Sequence, residues 1–413
     1  MSQSMQYTPE DTFYGQLAAM LEGLAAGTTT IVDHAHVTQS PEHAELAIAG
    51  TASSGIRSIF CYTPIGRVQS FNPLTPNPNL FEPWVMQTFD KLADQGPFGD
   101  GRVTLGFAFD LFFLPAPMVK GLFAQVKSKG VRTITVHGST ALASPSIPIL
   151  HELDLLDEHI IISHGGTIKR DHAELLKKHG ARISSTPSSE LQMAMGRPYA
   201  FDSSFVDGGW TGDSIGLQDH ASFGVDCSSM TAGSIVSEAK LGLANARNHF
   251  NEHYMKQEKT PKTLPANLSV EAAFNLATIK GAEAVRMSDQ IGRIAEGFKA
   301  DLVIFDALSP GMVAAAQHDP VAAIILHSSS ADIDTVLVDG VARKKGGKLV
   351  SVSVDESARG KIGKETLEWS GIAKEIVTSR ARMQKEMDKI DYEEGNAATL
   401  RNFHLDGDKF VDV

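Results

Sequence analysis

Gly27-Thr28-Thr29-Thr30-Ile31-Val32 is the stretch on which the reading of this chain turns. It is β-branched, apolar at its end and too short for a helix, which suits a strand buried in a parallel sheet. The segment before it has the opposite pattern. Thr8-Pro9-Glu10-Asp11 supplies an N-cap, a proline at the first helical position and two acids facing the positive end of the helix dipole. Phe13, Leu17, Met20, Leu21 and Leu24 then recur at near-helical spacing, and Gly27 stands where a left-handed cap would close the helix.

The alternation continues outward. Further strand-like runs occupy Ile56 to Cys61, Val103 to Phe109, Val131 to Val136, Ile160 to Ser163, Arg182 to Ser185 and Ser222 to Val225. Helical patterns fill the spaces: Pro41 to Ala52, Phe81 to Ala93, Pro117 to Ser128, Ile147 to Leu156 and Asp171 to His179. Strands and helices in strict alternation mean parallel strands with right-handed crossovers. No Gly-x-Gly-x-x-Gly follows a strand, so a dinucleotide-binding sheet is disfavoured and a TIM-type (β/α)8 barrel is expected. Seven strands lie between Thr28 and Val225, and the chain opens on a helix, so the first barrel strand is expected to be missing.

From Asp301 the period changes. Asp301 to Asp306 and Thr335 to Gly340 read as short strands, the second running toward the turn Gly346-Gly347. The expected organisation is a hydrolase barrel over 1–300, a β-sandwich remnant over 301–352 and a helical extension over 353–413. In that extension Leu367, Ile372, Ile376, Met383, Met387 and Ile390 sit in a charged segment, expected to be either a surface or dimer-contact helix or a solvated one.

Composition narrows the class. The 413 residues are 42% hydrophobic and 21% charged, as in an ordinary folded protein. A net charge of −12 disfavours nucleic acid and anionic membrane surfaces as partners. Cys61 and Cys227 are too few for a disulfide scaffold or a cysteine-built zinc module. With no long apolar span and no leader-like N-terminus, a cytoplasmic protein is expected.

In a barrel of this type chemistry gathers where strands end. His137 ends one strand, His164 another, and Asp226 comes directly after a third. Two imidazoles and a carboxylate suit a catalytic Zn²⁺ or Fe²⁺, one ion, whose bound water would carry out hydrolysis while Asp226 and His164 manage the protons. His34 and His36 lie two apart beside the first strand and point to one face, so they either line a substrate pocket or grip an ion. Gln218, with Asp219 and His220, is expected to be a loop residue touching substrate.

Ala277 to Ala284, followed by Ile291-Gly292-Arg293-Ile294-Ala295-Glu296-Gly297-Phe298-Lys299-Ala300-Asp301-Leu302-Val303, resembles the passage from barrel to β-sandwich in the amidohydrolase superfamily, in its branch of cytosine or guanine deaminases and triazine hydrolases. Ala26 to Thr30 resembles that family's second strand, and Thr186-Pro187-Ser188-Ser189-Glu190 the loop after its seventh. The resemblance covers roughly Thr8 to Leu349. It implies that His137 is the fifth-strand metal histidine, His164 the sixth-strand histidine and Asp226 the eighth-strand aspartate. Two departures stand out: the family's first-strand His-x-His pair has no counterpart upstream of Thr8, and Thr140 occupies the position of the deaminases' proton-shuttling glutamate. Without their partner segment the sandwich strands would carry open edges, so a homodimer is expected.

The leading expectation is a metal-dependent hydrolase acting on carbon–nitrogen or related bonds of a small cyclic molecule. The alternative is a metal-free barrel that binds a small molecule or performs non-hydrolytic acid/base chemistry.

Overall fold

The computed structural model describes residues 4–71, 74–77, 79–138, 145–201, 216–228, 230–402 and 407. Helix α1 (Pro9–Ala25) begins as its sequence dictates. Thr8 Oγ1 accepts from the Asp11 amide at 3.2 Å, and Asp11 Oδ2 accepts from the Thr8 amide at 2.7 Å, which closes a capping box. Past its end Gly27 adopts φ +89°, and a Cβ there would meet Ile333 Cδ1 at 3.0 Å, so only glycine fits.

Seven parallel strands succeed it in sequential order: β1 (Thr30–Ala35), β2 (Arg57–Tyr62), β3 (Val103–Ala108), β4 (Ile134–His137), β5 (Ile160–Ser163), β6 (Arg182–Ser185) and β7 (Ala221–Phe223). Helices Pro41–Ser54, Pro83–Gln95, Ala116–Ser128, Ser146–Glu152 and Arg170–His179 provide the crossovers. This is the parallel α/β sheet of a TIM-type barrel. Among the described residues β1 and β7 are each paired on one side only.

The first strand runs further than its apolar stretch suggested, because polar residues extend it. Asp33 and His34 stay in register with Phe60 and Cys61. The Asp33 carboxylate is held by Gln16 Nε2 at 2.5 Å, and His34 Nδ1 lies 3.1 Å from Thr135 Oγ1, so neither side chain forces the backbone out of the ladder. The side of the sheet under the crossover helices packs Phe60, Phe107, Phe123, Ile134, Val136, Ile160, Ile162 and Leu176, all fully buried. Helix α2 (Ile235–Met255) is capped by Ser234 and closes over β7 through Ala239, Leu243 and Phe250 against Phe223.

A four-stranded antiparallel sheet comprises β8 (Leu302–Phe305), β9 (Ile333–Val338), β10 (Val341–Lys345) and β11 (Lys348–Leu349). Strand β8 is one edge and exposes Ile304, whereas β9 lies inside the sheet. Arg57 of β2 clamps Asp301 through two bonds of 2.7 and 2.9 Å, and Asp301 also accepts from the Asp339 amide at 2.8 Å. This buried, fork-shaped pair fixes the small sheet to the barrel wall.

Helix α3 (Trp369–Met387) packs on its own chain. Ile372 joins Phe13, Leu17 and Leu24 of α1 and Ile333, Val336 and Val338 of β9 in one core. Ser379 and Arg382 bond to Asp11, so the charged face anchors α3 while Ile372, Met383 and Met387 are buried. The tail reads as exposed only when its apolar positions are counted without α1. No described helix is long and apolar enough to cross a membrane.

Candidate active site

The C-terminal ends of the strands bring the polar residues together. His34 lies in β1 and His36 just beyond it, His137 ends β4, His164 comes directly after β5, and Asp226 lies just past β7. The His34 and His36 rings stack at 4.7 Å between centroids, His34 and His137 lie at 4.3 Å, and His36 and His137 at 5.4 Å. His164 stacks on His137 at 5.6 Å. One candidate ligand atom from each of His34, His36 and His137 lies within 4.8 Å of the others. A tetrahedral zinc shell with bonds of about 2.0–2.1 Å places donors roughly 3.3 Å apart, so these three form a slightly open version of such a shell.

Close backbone contact sets His137 in place. Gly138 donates to the Ser163 carbonyl at 2.6 Å, and a Cβ at this glycine would fall 2.1 Å from the His164 carbonyl oxygen. The His137-Gly138 pair thus lets β4 and β5 approach at the rim. Asp110, two residues past β3, accepts from the His137 amide at 2.8 Å and from its Nδ1 at 2.7 Å. The same carboxylate lies 3.2 Å from His34 Nε2, yet off the direction of a hydrogen bond, and that nitrogen is buried without a partner.

The other half of the rim is built from hydroxyls. His164 Nδ1 is 2.5 Å from Thr186 Oγ1, and Ser189 Oγ donates to Asp226 Oδ2 at 2.5 Å. Glu190, fully buried, accepts from the Gly165 amide at 2.8 Å and from Ser185 Oγ at 2.9 Å. Glu238 of α2 accepts from the Ser188 amide at 2.8 Å and from its hydroxyl at 2.5 Å. His164 and Asp226 both sit in the left-handed region, with φ of +64° and +57°. Such conformations in non-glycine residues cost free energy and concentrate at functional sites.

Electrostatics keep most of the imidazoles neutral. Burial, followed by the neighbouring imidazoles His34 and His137, pushes His36 down to about 3, although the residue as a whole is exposed. Burial and His137 take His164 to about 4, and burial lowers His34 despite the opposing pull of Asp110. At His137 burial also favours the neutral ring, but Asp110 outweighs it and the pKa is raised. Burial would raise Asp110, yet His137 and His34 hold it well below the usual carboxylate range. Burial lifts Glu190 to about 7.

The sequence expectation gave the ion to His137, His164 and Asp226. The structure sets His164 beside His137, and the charge of Asp226 is felt at both rings. The described group whose ligand atoms converge, however, is His34, His36 and His137. Gln218 is not part of this mouth. It precedes β7, at the opposite end of the strand from Asp226, and donates to the Asn267 carbonyl at 2.8 Å. Thr140 lies outside the described residues. Asp110 and Glu190 escape a sequence reading of the site, although Asp110 carries the same strand-end signal that picks out His137.

Three neutral or neutralisable imidazoles, one of them with a buried nitrogen lacking a partner, fit a divalent ion. Comparison with known proteins points the same way. Residues 119–343 match the amidohydrolase family model. The chain belongs to the amidohydrolase family. It is a hydrolase of that type. The 5-methylthioadenosine/S-adenosylhomocysteine deaminase of Acetivibrio thermocellus is 23% identical over 346 residues, 81% of this chain and 70% of that protein. The 5'-deoxyadenosine deaminase of Methanosphaera stadtmanae is 31% identical over a shorter 210 residues, 50% of this chain and 43% of its own. In fold the amidohydrolase resembles a zinc-bound adenosine deaminase from Xanthomonas campestris, with TM-score 0.68, 16% identity and coverage of 92% and 76% of the two chains. It also resembles the zinc complex of atrazine chlorohydrolase from Arthrobacter aurescens, with TM-score 0.63, 18% identity and coverage of 84% and 74%.

Proposed function

We propose that this amidohydrolase breaks carbon–nitrogen or related bonds of a small cyclic substrate with water, using a single zinc or iron ion held by His34, His36 and His137. The observation that carries the reading is the convergence of those three imidazoles within 4.8 Å at the mouth of a barrel whose rim also presents His164 and Asp226. A divalent ion bound there would lower the pKa of its water toward 7 and provide a hydroxide at neutral pH.

The remaining work falls to side chains. Ser189 occupies Asp226 Oδ2, which fixes the carboxylate and turns its other oxygen to receive a proton from the attacking water. Thr186 engages His164 Nδ1, so Nε2 is the nitrogen that meets the substrate. With its pKa near 4, that ring is neutral at pH 7 and orients the substrate by hydrogen bonding, without a charge of its own. The names of the relatives, methylthioadenosine deaminase and atrazine chlorohydrolase, support a nitrogen heterocycle as substrate class. A cytoplasmic location and a homodimer belong to the same proposal, with the net charge of −12 arguing against nucleic acid or anionic membrane as partner.

The test is metal analysis of the purified protein, coupled to ammonia release from 5-methylthioadenosine and chloride release from atrazine before and after chelation. About one ion per chain, with turnover lost on chelation and restored by zinc, is the expected result. A metal-free chain whose turnover ignores the chelator overturns the reading.

A further inference from the structure

Asp110 has no role in the mechanism above, yet its carboxylate lies against two of the three clustered imidazoles, His137 and His34. It binds His137 twice, at the amide through Oδ1 and at Nδ1 through Oδ2. Because a carboxylate only accepts, His137 Nδ1 must carry a proton, and in the neutral ring Nε2 is then the nitrogen whose lone pair is free. Oδ2 also stands 3.2 Å from the buried, unpartnered Nε2 of His34, whose Nδ1 is engaged with Thr135. Asp110 thus sets its negative charge against both rings, where it would compensate a cation bound between them.

We propose that Asp110 is a positioning residue for the ion, fixing the tautomer and ring orientation of His137 and contributing compensating negative charge next to His34. The inference rests on reading His34, His36 and His137 as ligands. Carboxylate–histidine–metal relays work this way, and loss of such an outer partner costs about 10- to 100-fold in metal affinity.

Cobalt(II) is the probe, because its visible bands report ligand number and geometry without any substrate. The full chain, Asp110→Ala, Asp110→Asn and a control, Asp94→Asn, are titrated with Co²⁺; Asp94 pairs with Lys129 on a crossover helix away from the mouth. Asp110→Ala is expected to bind about 10- to 100-fold more weakly with shifted bands, and the control to match the parent. Should Asp110→Ala fail to fold, Asp110→Asn, which keeps the shape and removes the charge, decides by the same shift. Unchanged affinity and bands in the Asp110 variants overturn the inference while leaving the ligand reading intact. A parent chain that takes up no cobalt overturns both.

Discussion

On one arc of the barrel mouth, β1, β3 and β4 set three imidazoles around the single carboxylate of Asp110; on the other, β5, β6 and β7 surround Glu190, Glu238 and Asp226 with serine hydroxyls and amides. The first arc is half open to solvent and leaves His34 Nε2 without a partner. In the second, Glu190 and Glu238 are buried and each accepts two hydrogen bonds, while the exposed Asp226 accepts one from Ser189. Unpaired donor atoms at a rim invite a ligand, whereas saturated buried carboxylates hold a framework rigid. The two arcs should therefore fail in different ways when side chains are removed.

The largest contrast is expected from His137→Ala. Removing a ligand from the imidazole arc should weaken zinc by more than about 100-fold, beyond the range of an outer partner, with little change in folding stability. Metal content after dialysis, together with urea unfolding, measures both. A variant that retains its metal would dissolve the contrast.

Glu190 should show the reverse: stability changes and metal does not. Glu190→Ala leaves the Gly165 amide and the Ser185 hydroxyl unsatisfied in a dry cavity, a loss of about 2–4 kcal/mol by urea unfolding. Its pH dependence has a definite sign. A carboxyl raised from 4.5 to about 7 in the folded state favours folding below pH 4.5, and that contribution is lost as pH rises through 7. Relative to Glu190→Gln, the parent should accordingly lose up to about 3 kcal/mol between pH 4.5 and pH 8. A difference that does not vary with pH would place Glu190 outside the buried network.

The smallest effect tests where the arcs meet. Ser189→Ala removes the donor that aims Asp226, and is expected to lower kcat about tenfold at unchanged KM and metal content, with Ser189→Thr restoring it. An equal rise in KM would show that Ser189 serves substrate binding instead.

Much of this framework is legible in local patterns. Ile160 to Ser163 and Arg182 to Ser185 are strands residue for residue, because apolar or β-prone runs bounded by turns have few other choices. The first strand is under-read because its continuation depends on Gln16 and Thr135, the second of which is 101 residues away from His34. The same distance hides the imidazole cluster: nothing between His36 and His137 in the chain says that β1 and β4 bend toward one point. Asp110 carries a usable signal, a carboxylate two residues beyond a strand end, but Phe109-Asp110-Leu111 looks locally like an ordinary turn. Helix α2 announces itself by Ser234 and the apolar spacing of Ala239, Leu243 and Ala246, a weaker signal than the Ala277 to Ala284 motif beyond it. Helix α3 is legible as a helix, while its burial against α1 is a tertiary fact that spacing alone does not carry.

The left-handed backbone at His164 and Asp226 has a practical consequence for anyone who breeds this protein for heat tolerance. Glycine accepts that conformation without the steric cost that histidine and aspartate carry, so a selection on melting temperature alone will be drawn to those two codons. The winners would be sturdier and silent, and a turnover screen has to run alongside the thermal one from the first round.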